Sequence, residues 1–389
     1  MLGPNSFNRL AAHGVSLAAN HDEIAHENFA QAMHFQVFAN LMPGNKEVYR
    51  TRVLPSFQRE RGRRPSNRQE VRGAMRRDPY HQMWSALRRT TQELMWTAAQ
   101  TGLNRGFPAL QQRASNYLAR PTTKSSLTLD PTIAMPRYIT AVDIHCMPGG
   151  YTGEVGSNDV YAGAIYDRGV YSITQGFLGP HVDGIGRTIA AYIKRSHPRF
   201  RRGKILDIGC AVGHSTLPLC DAFPAAEVHA IDVSAPCLRY AFARAESWGK
   251  SVKFAQQDAE RLRFADNTFD FVTSGAVMHE LSTSSLHNIV REIHRVLKPG
   301  GVMIHVEQPQ YHGMEPFDQF MRDWDTFGNN EPFWGTLHDL DLTQIAVDAG
   351  FKRDRVAETM EAGDGGRVYN VEKPDAKTRA NWFFYTARK

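Results

Sequence analysis

The chain has 389 residues, of which 42% are hydrophobic and 22% charged, with only 4 cysteines. That balance excludes a disordered chain, a disulfide scaffold and, with no long apolar run, a membrane bundle. The net charge of +6 raises an anionic partner such as nucleic acid.

The first predicted element is a helix over 21–42, with Ile24, Phe29, Met33, Val37 and Leu41 on one face and Pro43-Gly44 stopping it. The positive charge follows it. Ten arginines (50, 52, 59, 61, 63, 64, 68, 72, 76 and 77) face only Glu60 and Glu70 between positions 50 and 77. This window carries +8 and leaves −2 for the rest of the chain. Its prolines and glycines predict an exposed loop or solvated crossing, with arginines paired to distant acids or open to an anion. Asp78-Pro79 predicts the start of a helix over 79–101, and a third helix is expected over 108–119. Residues 131–180 are rich in glycine and tyrosine and predict a connector of tight turns lying against a site. A helix over 181–195 follows.

After 200 the pattern changes to strands alternating with helices. Strands are expected at 204–208, 227–231, 252–256, 268–274, 301–307, 355–359 and 382–386, which predicts a mostly parallel sheet covered on both faces. The first strand delivers Asp207 to a turn with Gly209 and Gly213. It is neither the GxGxxG fingerprint nor a P-loop. The second strand ends at Asp232, placed to accept ribose hydroxyls, with Val233 beside it. Asp258 and Ala259 follow the third strand, where a carboxylate and an amide suit an adenine edge.

The ordered set DIGCAVG at 207–213, Asp232, QDAE at 257–260, FDFV at 269–272 and LKPGG at 297–301 resembles a class I S-adenosylmethionine-dependent methyltransferase over roughly 200–389. The resemblance implies an α/β, Rossmann-like, seven-stranded sheet with an antiparallel last strand. It also implies that Asp207, Gly209, Cys210 and Gly213 cradle the methionine end of S-adenosylmethionine. Asp232 and Val233 would hold the ribose, Asp258 and Ala259 the adenine, and Ser274 and Gly275 would border the sulfonium. The family's middle glycine is replaced by Ala211, which requires a backbone there that avoids positive φ.

The expected organisation is a helical cap and dimerisation unit at 1–130 and a connector at 131–200. A cofactor-binding domain at 201–389 carries a substrate lid at 308–340. Methyl transfer to oxygen or sulfur needs an aligned acceptor and, for a hydroxyl, a base. The candidates are His279, Glu307, His312 and Tyr166, with His145, Cys146, Tyr151, Tyr161, Arg168 and Tyr171 as further pocket residues. No metal is expected: His279, Glu307 and His312 are compatible with a site, but their spacing does not demand one. Aromatics between 311 and 334 either wall the pocket or pack on the first helices. The expected activity is small-molecule methylation by a cytoplasmic homodimer that needs neither membrane nor nucleic acid. The alternatives are a nucleic-acid or protein methyltransferase using the arginines, or a non-catalytic cofactor-binding protein.

Overall fold

The computed structural model describes residues 10–367 and 379–389. Eight strands form one sheet: β1 Ser126–Thr128, β2 Lys204–Ile208, β3 Glu227–Asp232, β4 Lys253–Gln256, β5 Phe269–Gly275, β6 Leu297–Glu307, β7 Val356–Arg367 and β8 Arg379–Arg388. Their order is β1-β4-β3-β2-β5-β6-β8-β7, with β8 antiparallel to both neighbours. The order reverses on either side of β2, so a crevice opens where β2 and β5 end.

The strands sit where the apolar runs predict them. Ile205 to Ile208 are buried because helices cover both faces. The stripe Leu286, Ile289, Val290 and Ile293 lays the helix Thr283–Val296 on one face. Ser282 caps that helix by accepting from the Ser285 amide. The eighth strand is β1, which pairs parallel to β4 with Ser126 opposite Lys253. Three residues are too short for a readable period, so the first third of the chain contributes a strand as well as helices.

Five expectations for the first half are corrected. The helix His21–Gln36 buries Glu23, Glu27, Gln31 and His34, while Phe29 is 59% and Met33 38% exposed. Buried partners make that polar face inward: Arg168 meets Glu27 at 2.7 Å, and His34 meets Thr91 at 3.0 Å. Pro43-Gly44 is a joint, not an end, because helical structure resumes at Gly44 and reaches Arg61. A Cβ on Gly44 would lie 2.0 Å from the Tyr80 hydroxyl, which donates to the Leu41 carbonyl.

The arginine window is helical across Leu54–Arg61 and Arg68–Met75. Arg50 pairs with Glu47, Arg52 with Asp78, Arg63 with Glu70 and Arg68 with Asp339, while Arg72 lies 4.2 Å over the Phe327 ring. The two helices expected from 79 to 119 are a single helix, Pro79–Ala119, capped by Asp78. At 1.5 Å per residue it runs for about 60 Å, with Pro108 inside it.

The glycine-tyrosine connector also holds a helix, Tyr161–Ile173. Its glycines are close-packing positions. A Cβ on Gly169 would meet Trp96 at 2.1 Å, and one on Gly163 would meet Tyr240 at 2.4 Å. The aromatic insertion mostly packs on the first helices: Phe317, Phe320 and Trp324 bury against Val37, Val48, Val71 and Trp84. Among the described residues, no helix is long and apolar enough to cross a membrane.

Candidate active site

Two adjoining cavities lie at the C-terminal edge of the sheet. The first is lined by Gly209 and Ala211 after β2, Asp232 and Val233 after β3, Gln257 and Ala259 after β4, and Gly275 to Val277 after β5. Tyr138, Ile139 and Tyr151 from the connector close its other side. Gly209 has φ +64° and Gly213 φ +82°, so the turn uses the left-handed region that glycine enters freely. A Cβ on Gly209 would lie 2.8 Å from Val277. Ala211 also has φ +43°, against the expectation. Its amide donates to Asp232 Oδ2 at 2.8 Å, which holds the strained residue in place.

Asp232 Oδ1 accepts from the Ser234 amide at 2.8 Å, and burial pushes the carboxyl up to about 6. Asp207 is buried beneath the turn, where it accepts from Thr216 at 2.6 Å and Thr273 at 3.2 Å. Those bonds brace the turn, the cavity wall does not include it, and burial raises the carboxyl to about 7. Cys210 is likewise buried. Asp258 accepts from the Glu260 amide at 2.9 Å, and the cavity wall there is made by its neighbours Gln257 and Ala259. Ser274 turns inward to His305 at 2.5 Å, leaving Gly275 at the cavity.

This cleft fits S-adenosylmethionine by its chemistry. It has a glycine turn without side-chain bulk, a carboxylate fixed at the end of β3, and an apolar slot of Ile139, Leu281 and Ile289. A family profile described as "Methyltransferase domain" matches residues 205–301. The chain carries a class I S-adenosylmethionine-dependent methyltransferase fold.

An uncharacterized methyltransferase of Synechocystis is 31% identical over 151 residues, covering 38% of this chain and 66% of its own length. The ubiquinone/menaquinone biosynthesis C-methyltransferase of Desulfotalea psychrophila is 33% identical over 120 residues, 30% of this chain and 47% of its own. A demethylmenaquinone methyltransferase of Staphylococcus aureus is 37% identical over 112 residues, 28% and 45% respectively. The chain thus spans about half to two thirds of the length of these relatives. The solved phosphoethanolamine N-methyltransferase 2 of Haemonchus contortus is 19% identical, with a TM-score of 0.41 over 61% of this chain and 60% of that one.

The second cavity shares Tyr166, Gly275 and Ala276 with the methyltransferase cleft. One wall is apolar: Val170, Ile173, Phe177, Val182, Ile185 and Trp382. The other is a cluster of imidazoles and carboxylates. His279 Nδ1 meets Glu307 at 2.8 Å, and its ring stands edge-on to Trp334 at 5.1 Å. His145 meets Glu280 at 3.1 Å through Nε2 and Glu331 at 2.7 Å through Nδ1. Tyr151 donates to Glu280 at 2.7 Å.

Burial opposes charge on both imidazoles, but the carboxylates outweigh it. Glu307, Glu331 and Glu280 push His279 up to about 9, and Glu331 with Glu280 push His145 up to about 10. Tyr166 stacks on His214, whose Nε2 meets the buried Asp167 at 2.7 Å. Burial and Arg244 hold His214 down at about 4.

Of the predicted residues, His279, Glu307, Tyr166 and His145 line this cavity, while Tyr151 lines the first. His312 is exposed on the surface and joins neither cavity. Arg168 is spent on Glu27, Cys146 is buried against the Gly328 carbonyl, and the Tyr161 hydroxyl meets Gln100 and Asn104. Burial also pushes the Cys146 thiol up to about 11, far from a reactive thiolate. Glu280, Glu331, His214 and Asp167 were not singled out. Glu280 adjoins His279, and that adjacency was its available signal. Glu331 sits in an acidic, aromatic insertion and offered none.

Proposed function

We propose that this protein transfers a methyl group from S-adenosylmethionine to oxygen or sulfur of a small molecule with an apolar body. The observation that carries this reading is the second cavity, which opens onto the cofactor cleft at Gly275 and Ala276 and ends at His279. Bound S-adenosylmethionine supplies an electrophilic methyl on a good leaving group. The chain's own residues do the remaining work. Val170, Phe177, Ile185 and Trp382 bury the acceptor's body and exclude water. Tyr166, backed by His214, walls the junction and restricts the acceptor's approach.

Glu307 holds His279 Nδ1, which leaves Nε2 to face the acceptor's proton. A hydroxyl depends on that group more than a thiol, which ionises near pH 8.5. The Desulfotalea relative is named for C-methylation, so carbon acceptors belong in the same test. The test is a turnover screen over thiols, phenols, acids, amines and quinols, read as S-adenosylhomocysteine. Cofactor binding without turnover on any of them would favour a non-catalytic role. Among the arginines of 50–77, five are engaged with acids or a ring, which weakens the nucleic-acid alternative.

We also propose a homodimer, supported by Phe29 and Met33 turned to solvent on the first helix. A monomer by light scattering would sink that part. Four free cysteines suit a reducing, cytoplasmic setting.

A further inference from the structure

The cluster at the end of the second cavity has the makings of more than an ion-pair network. His145, His279 and Glu280 each present one ligand atom within 4.8 Å of the others. Glu331, 1% exposed, holds the far side of His145: its Oε1 is 2.7 Å from Nδ1, while Glu280 Oε1 is 3.1 Å from Nε2. His145 Nδ1 and Asn329 hold the Glu331 carboxylate in place.

The surroundings are those of a ligand set. Glu307 holds the far nitrogen of His279, the carboxylate–histidine arrangement that orients a metal-binding imidazole. Tyr151 orients Glu280 in the same way. The His145 carbonyl is pinned by Trp96 Nε1 at 2.6 Å and Gln92 Nε2 at 3.1 Å, which fixes the residue at φ +59°. Glu280, Glu307 and Glu331 bring three carboxylates against two imidazoles, so even full protonation of both rings leaves one negative charge uncompensated. Tetrahedral donors with bonds of about 2.1 Å lie about 3.4 Å apart. Side-chain rotations of about 1 Å therefore close this set.

We propose that His145, His279 and Glu280 bind one divalent transition-metal ion of the zinc or manganese class where the second cavity adjoins the cofactor cleft. Two imidazoles with a carboxylate suit these ions better than magnesium or calcium, which prefer oxygen alone. The inference rests on the reading of this cavity as the acceptor pocket only for its consequence. The ion would sit where the acceptor's oxygen or sulfur arrives, and His279 would then be its ligand.

The experiment uses the full-length protein stripped with EDTA, then titrated with Zn2+, Mn2+ or Co2+ alone, without acceptor. Retained metal is read by elemental analysis, and the Co2+ form by its visible absorption. We expect one equivalent per chain and a Co2+ spectrum of low-symmetry, nitrogen-containing coordination. His145→Ala and His279→Ala should weaken binding more than 100-fold, and Glu307→Gln, acting through His279, by about 10- to 100-fold. His312→Ala should bind as the parent does. S-adenosylmethionine affinity checks that each variant folds. If a histidine variant fails that check, Glu280→Gln and the parent's Co2+ spectrum decide.

No ion retained by the parent at micromolar concentrations, or equal affinity in a folded histidine variant, overturns the proposal. A parent that turns over acceptor but retains no ion overturns it while leaving the acceptor reading intact. A bound ion with no turnover on any acceptor does the reverse.

Discussion

The two cavities meet at Gly275 and Ala276, yet they are built on opposite principles. The cofactor cleft takes most of its walls from strand ends and the turns that follow them. Its carboxylates are Asp232, fixed by two backbone amides, and Glu280. The imidazole–carboxylate cluster takes His145 from the connector, His279 and Glu280 from the turn after β5, Glu307 from the end of β6 and Glu331 from the insertion. Backbone geometry makes the first cavity, and side chains far apart in the chain make the second. A site that binds a constant cofactor can be local, whereas acceptor selection must come from added segments.

That contrast can be broken by experiment. His279→Gln should cut turnover by about 10²- to 10⁴-fold while cofactor affinity holds, because the ring touches only the acceptor side. Steady-state kinetics beside calorimetry will show it, and a parallel loss of cofactor affinity would mean that the two cavities are one. Asp232→Ala should do the opposite and weaken S-adenosylmethionine by about 10- to 100-fold, the worth of a charged hydrogen-bonding group.

The pH dependence separates the cavities too. His279 is raised from 6.5 to about 9, so its stabilising contribution is complete below pH 6.5 and lost as pH rises through about 9. Denaturant titrations should show the parent losing stability over that window and His279→Gln losing less. In metal-free protein, turnover that needs the neutral ring should rise with pH toward about 9. A flat profile would argue against His279 as proton acceptor.

Gly209→Ala should cost about 1–2 kcal/mol of stability, from the left-handed backbone and the contact with Val277. Adding Val277→Ala should recover only the contact share, read by chemical denaturation. The smallest effect is expected from Arg59, Arg61 and Arg64 changed together to glutamine. All three are exposed, and turnover and stability should move by less than about 0.5 kcal/mol. Salt-sensitive RNA binding that vanishes in this variant would revive the nucleic-acid alternative.

The legibility of the chain divides along the same line. Strands β2 to β6 stand close to their expected places because fully buried parallel strands write continuous apolar runs. Gly209, Gly213 and Asp232 were legible because a tight turn and a strand-end acid are local features. Ala211 was misjudged: its positive φ is supported by Asp232, 21 residues onward. The helix Tyr161–Ile173 was hidden because its glycines serve Trp96 and Tyr240, not the helix itself. The helix His21–Gln36 was placed correctly but turned the wrong way, since Glu27 finds Arg168 across 141 residues.

The +6 of the whole chain belongs to the same lesson. Sequence alone located it in one arginine-rich window, but the partners of Arg52, Arg63 and Arg68 appear only in three dimensions. By itself the sequence determined strands β2 to β6, the glycine turn and the carboxylate at the end of β3, because each is written within one strand and its following loop. The tertiary structure alone decided the polar end of the second cavity, where His145, His279, Glu307 and Glu331 become neighbours. Their meeting depends on long-range packing, and no spacing along the chain encodes it.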